Sequence, residues 1–275
     1  MLARGVAGPA LLYGTAWKED ATEACVTAAL AAGFRGIDTA NQRKHYFEAG
    51  VGRAIAAAGV PRGELFVQTK FTFRDGQDAR LPYDERAPIA AQVEQSFASS
   101  LEHLGVEVID SLVLHGPSRA DGLGPDDREA WRAMEELARA GRVRLIGISN
   151  ATARQVSELV ALAKLAPAFV QNRCYAARGW DRDVRAVCAG NGLVYQGFSL
   201  LTANRQVLSH PGVRAIAAHH GATPAQVVFR FAQQLGMLPL TGTRDPAHMR
   251  EDLATTANDA FALDAGEIAI VSAAG

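Results

Sequence analysis

Along the whole chain, short apolar runs alternate with stretches in which apolar residues recur at helical spacing. A short apolar or β-branched run bounded by turn residues reads as a strand, and apolar positions every three or four residues read as one face of a helix. Strands are predicted at residues 10–13, 35–37, 65–68, 111–114, 143–148, 169–171, 193–198 and 237–240, each followed by a helical segment. Eight successive strand–helix units in 275 residues match the count and length of a (β/α)8 barrel. The predicted fold class is therefore α/β, a TIM barrel in a single domain over residues 1–275, with the active site at the C-terminal rim of the strands. A doubly wound sheet would need a glycine-rich phosphate turn after an early strand. The nearest candidate, Gly50-Val51-Gly52, runs on as Arg53-Ala54-Ile55 inside a helical pattern, which marks a packing site.

Helix punctuation supports the same layout. Thr223-Pro224 opens AQVVFRFAQQL with a capping threonine and a first-turn proline, and Gly236 closes it; Asp245-Pro246 repeats the opening before AHMREDLA. Residues 71–88 have no clean period and are long for an ordinary connection. Because they follow Lys70, they are expected either to hang over the rim as a lid or to form a solvated charged loop.

Composition narrows the function. With 48% apolar and 21% charged residues the chain can bury a large core, and a net charge of -1 offers no basic field for nucleic acid or an anionic membrane. Small neutral or polar ligands suit it better. No run reaches the roughly 20 apolar residues of a membrane span, and the opening MLARGVAGPALLYG lacks the features of a signal peptide. Cys25, Cys174 and Cys188 are odd in number and scattered, which suggests buried reduced thiols and a cytoplasmic location.

Asp38, Lys70 and His115 end the strand-like runs GFRGID, ELFVQTK and IDSLVLH, and Tyr46 follows soon after Asp38. Parallel neighbouring strands would bring all four to one rim. A phenol titrates near 10 when unperturbed. A nearby ammonium lowers that value, and a carboxylate keeps the ammonium charged and oriented. Imidazole adds a hydrogen bond to a reacting oxygen. The set can work as a general acid with no metal and no covalent nucleophile. Trp17, Phe71 and Phe73 are candidates for a substrate wall, whereas Trp131 sits mid-helix as a core residue. His219-His220 reads as a solvated helix end with no suitably spaced carboxylate or thiol, so no metal site is expected.

Further segments fall in a familiar order: GTAW at residues 14–17, GFRGIDTA at 33–40, EAGVGRAI at 48–55, FVQTK ending at Lys70, and LVLHGP around His115. They continue with EAWRAMEELARAGRVRLIGISN at 129–150, VQN at 170–172, GFSLL at 197–201 and TPAQVVFRF at 223–231. Together these segments resemble the aldo-keto reductase superfamily over almost the whole chain. The resemblance implies a barrel that binds extended NADPH or NADH and reduces the carbonyl of a small-molecule aldehyde or ketone through an Asp-Tyr-Lys-His tetrad. Asp38, Lys70 and His115 fall in register. The family's tyrosine position, five residues after the aspartate, holds Arg43; counting back from Glu48 gives His45, with Tyr46 beside it. Tyr46 is taken as the acid because a phenol beside Lys70 is chemically competent and a loop absorbs one residue of slippage.

The same resemblance assigns Thr15, Trp17 and Asp38 to the cofactor side, Ser149, Asn150 and Gln171 to the nicotinamide carboxamide, and Phe198 to the face of the ring. It sets Ser199 and Leu201 near the pyrophosphate. At the adenosine end the family's lysine, serine or threonine, and arginine are replaced by Gly242, Thr243 and His248. Thr243, Arg244 and the helix opened by Asp245-Pro246 are expected to receive a 2′-phosphate, favouring NADPH over NADH. A monomer or weak homo-oligomer is expected, and the short stretch before Gly275 points to an open substrate site. Two rivals follow from the same residues: a non-catalytic nicotinamide-binding redox sensor or regulatory subunit, and a barrel hydrolase or lyase using Lys70 in a Schiff base.

Overall fold

A computed structural model describes residues 8–257 and 259–275; the first residues of the opening segment lie outside the described ones. The strands are β1 (Leu12–Gly14), β2 (Gly36–Asp38), β3 (Phe66–Phe71), β4 (Ile109–Leu114), β5 (Val143–Ser149), β6 (Phe169–Arg173), β7 (Val194–Phe198) and β8 (Leu238–Thr241). Each pairs in parallel with the next, and β1 also pairs with β8, so the sheet closes on itself as an eight-stranded barrel. All eight predicted strands are present, displaced by a few residues at their ends.

The helices are α1 (Thr22–Ala32), α2 (Glu48–Ala57), α3 (Ile89–Leu104), α4 (Pro125–Arg139), α5 (Ala153–Leu162), α6 (Arg182–Gly190), α7 (Arg205–Ser209), α8 (Pro211–His219), α9 (Pro224–Gln234), α10 (Pro246–Ala254) and α11 (Ala265–Ala273). Local chemistry accounts for several starts. Thr223 and Gln226 exchange side-chain and backbone hydrogen bonds at the start of α9, and Thr152 with Gln155 does the same for α5. Gly52 is the packing site its pattern suggested: a Cβ there would lie 2.1 Å from the His103 carbonyl oxygen, so only glycine lets α2 approach the end of α3.

The alternation of β3 explains how one strand serves both core and chemistry. Phe66, Gln68 and Lys70 face the barrel lumen, while Val67, Thr69 and Phe71 face the surrounding helices. At the bottom the lumen is filled by Leu12, Phe66, Leu145, Phe169, Leu238 and Leu240. The Phe66 and Phe169 rings meet edge to face at 5.9 Å, and burying such a side chain is worth roughly 1.5–3 kcal/mol. One step up each strand the lumen becomes polar, with Asp38, Gln68, Gln171 and Gln196, and above them stands Lys70. A dry apolar floor therefore supports a buried polar layer directly beneath the rim. All three cysteines are buried, and among the described residues no helix is long and apolar enough to cross a membrane.

Candidate active site

Strand register builds the polar layer. Asp38 is level with Gln68, and Gln171 is level with Gln196. The Lys70 ammonium donates to Asp38 Oδ1 at 2.7 Å, to Asp38 Oδ2 at 2.8 Å and to the Thr39 carbonyl at 2.7 Å. Three acceptors match the three protons of an ammonium. Asp38 Oδ1 also accepts from Gln68 Nε2 at 2.7 Å and Gln171 Nε2 at 2.9 Å, and both amides donate again to Gln196 Oε1. Lys70 is 1% exposed, and burial lowers its pKa while the Asp38 carboxylate pulls it back up. A buried pair of this kind is retained only when its remaining hydrogen-bonding capacity is met, as it is here.

Tyr46 lies on the loop between β2 and α2, beside this pair. Its ring centroid is 5.2 Å from Lys70 Nζ, and its ring meets that of His115 edge-on at 5.9 Å. Its hydroxyl makes no hydrogen bond among the described residues. His45 turns the other way and stacks on Trp17 at 3.8 Å, so the phenol and not the imidazole stands over Lys70. The phenol pKa is pushed up, first by burial and then by the Asp38 charge. This corrects the expectation that Lys70 would lower it: the ammonium's field is largely answered by Asp38, 2.7 Å away. The phenol therefore stays protonated at neutral pH, which a proton donor requires.

His115, just beyond β4, lies with Nδ1 2.6 Å from Thr72 Oγ1. Burial, reinforced by the Lys70 charge, pushes the imidazole well below its usual value, so it is neutral at pH 7. When Thr72 donates to Nδ1, the remaining proton sits on Nε2. Asn150 Nδ2 holds the His115 carbonyl at 2.8 Å.

The segment 71–88 braces the tyrosine loop; it is absent from the walls of two cavities that meet at Tyr46, while its Arg80, Leu81 and Pro82 border a third cavity that Tyr46 also lines. Gln77 donates to the Asn41 carbonyl at 2.9 Å, Gln42 donates to the Gly76 carbonyl at 2.6 Å, and Tyr83 donates to the Thr72 carbonyl at 2.8 Å. Below it, Glu48 is buried and accepts from Thr69, Ser100 and His103, anchoring the start of α2.

Those two cavities, of about 660 and 640 Å³, share a wall of Trp17, Tyr46, His115, Asn150, Phe198 and Ser199. The first runs as a trough past β7 and β8 to α9 and α10, bordered by Ser149, Gln171, Leu201, Thr243, His248 and Glu251 among others. Three wall residues other than glycine, Trp17 (φ 62), Asn150 (φ 52) and Ser199 (φ 56), have left-handed backbones, and such strain clusters where a side chain must be aimed. Ser149 Oγ donates to the Gln171 carbonyl at 2.6 Å, and Gln171 keeps its amide hydrogens on Asp38 and Gln196. Gln171 Oε1 has no partner among the described residues and faces the trough.

Several sequence-assigned residues are elsewhere. Thr15 is fully buried and donates through Oγ1 to the Asp38 carbonyl at 3.0 Å, setting β2 without reaching either cavity. Phe71 faces outward, because neighbours along a strand alternate, and packs on Phe73 and Tyr83; neither Phe71 nor Phe73 borders the cavities. Arg244 donates to the Trp17 carbonyl and is absent from the trough wall, where Thr243, Glu251 and Asp252 stand instead. The Asp252 carboxyl is pushed up to about 6 by burial and is held by Thr241 at 2.7 Å.

Sequence reading missed four contributors. Thr72 was hidden in the unpatterned loop. Gln68 and Gln196 were signalled only by being polar at inward positions of apolar strands. Lys18, following the GTAW segment, is 3% exposed and donates to the Gly242 carbonyl at 2.7 Å, with burial lowering it to about 8. One exclusion also needs correction. His219 and His220 do have a carboxylate neighbour, Glu267 of α11, with His220 Nε2 2.9 Å from Glu267 Oε1. Glu267 there accepts from Asp264 N, closing the first turn of α11.

Comparison with known proteins agrees with this geometry. The family model described as Aldo/keto reductase family matches residues 5–274. The chain is 35% identical over 267 residues to an aldo-keto reductase of Mycolicibacterium vanbaalenii, covering 93% of this chain and 87% of that protein. It is 34% identical over 247 residues to an aldo-keto reductase of Mycobacterium marinum, covering 89% and 81%. Among solved structures, an aldo/keto reductase from Brucella melitensis superposes with a TM-score of 0.84 at 27% identity over 100% of this chain and 98% of that one. An aldo-keto reductase of the silkworm Bombyx mori complexed with NADPH superposes with a TM-score of 0.82 at 25% identity, over 99% and 86%.

Proposed function

This chain belongs to the aldo/keto reductase family, and we propose that it reduces aldehyde or ketone carbonyls to alcohols with a reduced nicotinamide dinucleotide. The observation that carries the reading is the Tyr46 hydroxyl, which has no hydrogen-bond partner among the described residues, on a side chain that borders both cavities beside Lys70 and His115. The trough suits a dinucleotide on chemical grounds. Gln171 Oε1 is an open acceptor for a carboxamide, Phe198 offers a flat half-buried face, and the start of α9 lines the far part of the wall.

The bound dinucleotide supplies hydride; the protein supplies position and protons. Ser149, Asn150 and Gln171 orient the carboxamide end, and Phe198 supports the ring. Tyr46 donates its proton to the carbonyl oxygen as negative charge develops there. Lys70, held by Asp38, lies beside the phenolate left behind, and its ammonium offsets part of the Asp38 charge felt there. Neutral His115, with Nδ1 taken by Thr72, presents Nε2–H to the same oxygen. Asp38 and Lys70 both lie beneath the rim and act through Tyr46, so a Schiff base at the fully buried Lys70 amine is disfavoured.

The choice between NADPH and NADH is made at residues 241–252. With Arg244 held by Trp17 and no lysine or arginine on the trough wall among the described residues, none of these faces a 2′-phosphate, and both forms are admitted. The test follows absorbance of NADPH and of NADH with a panel of aldehydes and ketones, for wild type and Tyr46→Phe. Turnover is expected with wild type and a loss of about 10²–10⁴-fold in kcat for the variant, with dinucleotide binding nearly unchanged. Full activity in Tyr46→Phe rejects the assignment; dinucleotide binding without turnover of any carbonyl favours the sensor reading.

A further inference from the structure

The second cavity carries charge that the proposed carbonyl reduction does not use. It opens from the shared wall at Tyr46 and His115 and extends over the loops after β5 and β6, where Arg173 and Arg178 stand on its border. Neither guanidinium has a carboxylate partner among the described residues. Arg173 lies over the Phe198 ring at 5.7 Å and reaches the Tyr175 hydroxyl at 3.3 Å; Arg178 lies over the Tyr175 ring at 5.2 Å. Aromatic faces keep both cations at the cavity, and apart from the Arg173 Nη1 that reaches Tyr175 their in-plane N–H groups make no hydrogen bond among the described residues; such donors match a carboxylate or phosphate.

The other ionisable groups on that wall do not cancel this charge. Asp181 Oδ2 accepts from Asn172 Nδ2 and from the Tyr195 hydroxyl, both at 2.9 Å, and so is turned down toward β6 and β7. His115 and His45 are both held below their usual pKa by burial. The turn bearing Arg178 is firmly seated: residues 179–181 all have left-handed backbones, and Trp180 beneath them is 2% exposed. The trough, by contrast, has carboxylates and, among the described residues, no lysine or arginine on its wall.

We propose that the second cavity is the substrate lobe and that its substrates are carbonyl compounds carrying an anionic group, a carboxylate or phosphate, which Arg173 and Arg178 engage while the carbonyl oxygen sits at Tyr46. This rests on the carbonyl-reductase reading and adds the substrate class. Two guanidinium groups on the second cavity alone give an anionic carbonyl compound one favourable orientation at the shared wall.

The test compares 4-formylbenzoate with methyl 4-formylbenzoate, the same aldehyde with and without a charge, at saturating reduced dinucleotide. Two arginines in an exposed lobe give the anion an expected advantage of about tenfold in kcat/KM. That ratio should fall toward one in Arg173→Gln, in Arg178→Gln, and in wild type at high salt. A wild-type ratio near one, or a ratio that neither substitution changes, overturns the proposal. Glycolaldehyde phosphate against glycolaldehyde separates the two anions: whichever charged group gives the larger ratio is the one the lobe is built for. Quenching of tryptophan fluorescence by 4-(hydroxymethyl)benzoate and its methyl ester supplies a readout independent of turnover. If no aldehyde is reduced, the carbonyl-reductase reading fails; tighter binding of the acid than of the ester, lost in both variants, still supports the anion lobe, and equal binding removes it.

Discussion

Asp38→Asn isolates the buried ion pair. In the variant the amide oxygen can go on accepting from Gln68 and Gln171, so the amide nitrogen faces Lys70 and sets donor against donor. Lys70, 1% exposed, keeps the amide oxygen and the Thr39 carbonyl but loses its counter-charge. Breaking a buried pair from one side costs about 3–5 kcal/mol. The amine can escape by losing its proton, and taking a lysine of ordinary pKa neutral at pH 7 costs about 1.36 × (10.4 − 7), or about 4.6 kcal/mol, which sets a ceiling. At pH 8.5 that ceiling is about 2.6 kcal/mol. The sign follows from proton counting: the variant's folded state binds fewer protons than its unfolded state, so its stability rises with pH and the penalty shrinks by about 1.4 kcal/mol per unit. The window stops at pH 8.5 because burial already draws the wild-type Lys70 downward. At roughly 2 °C per kcal/mol for a chain of this size, the expected loss in Tm is about 9 °C at pH 7 and about 5 °C at pH 8.5. Scanning calorimetry of both proteins across that range measures it, and adding Lys70→Met should abolish the pH dependence. A penalty independent of pH would refute the reasoning, because Lys70 would then be charged without Asp38.

Two other perturbations test the supports of the site. Thr72→Val removes the hydroxyl at His115 Nδ1 while keeping its shape; one hydrogen bond of about 1–2 kcal/mol predicts a loss of roughly 5- to 30-fold in kcat/KM. The ¹⁵N shifts of His115 should then report a changed tautomer mixture, and an unchanged spectrum would reduce Thr72 to a packing residue. Gly52→Ala forces a Cβ to within 2.1 Å of the His103 carbonyl oxygen, so the contact of α2 with α3 must open at a cost of about 1–3 kcal/mol or more. A melting point unchanged from wild type would contradict it; Gly63→Ala, with nothing within 4 Å of the new atom, is the control.

The barrel was legible because its strands are nearly continuous apolar runs and its helices carry amphipathic faces and caps, signals that depend on a few neighbouring residues. Asp38, Lys70 and His115 were legible because they interrupt or end such runs. Phe71 was misread for the complementary reason: it adjoins Lys70 in sequence, and alternation sends it to the opposite face of the sheet. Arg244 was misread because its partner, the Trp17 carbonyl, lies 227 positions away along the chain. The glutamine layer has the same character, since Gln68, Gln171 and Gln196 meet only once the barrel has closed. Contacts made by closure carry no local pattern.

On the proposed reading, the tyrosine loop changes register while the chemistry stays in place. The requirement on the acid is a hydroxyl above Lys70 and beside His115, and nothing in that requirement specifies the number of residues after Asp38. What must be conserved in space is the frame, and here the frame is made by other parts of the chain. Glu48 pins the start of α2 through Thr69 and Ser100, Gln42 and Gln77 tie the loop to the brace that follows β3, and the Trp17 amide takes the His45 carbonyl at 2.8 Å. With both ends and the middle held, the residues between can be redistributed, and the side chain that reaches Lys70 is the one the frame aims there. The segment 71–88 serves that frame directly, since Gln42 and Gln77 hydrogen-bond between it and the tyrosine loop.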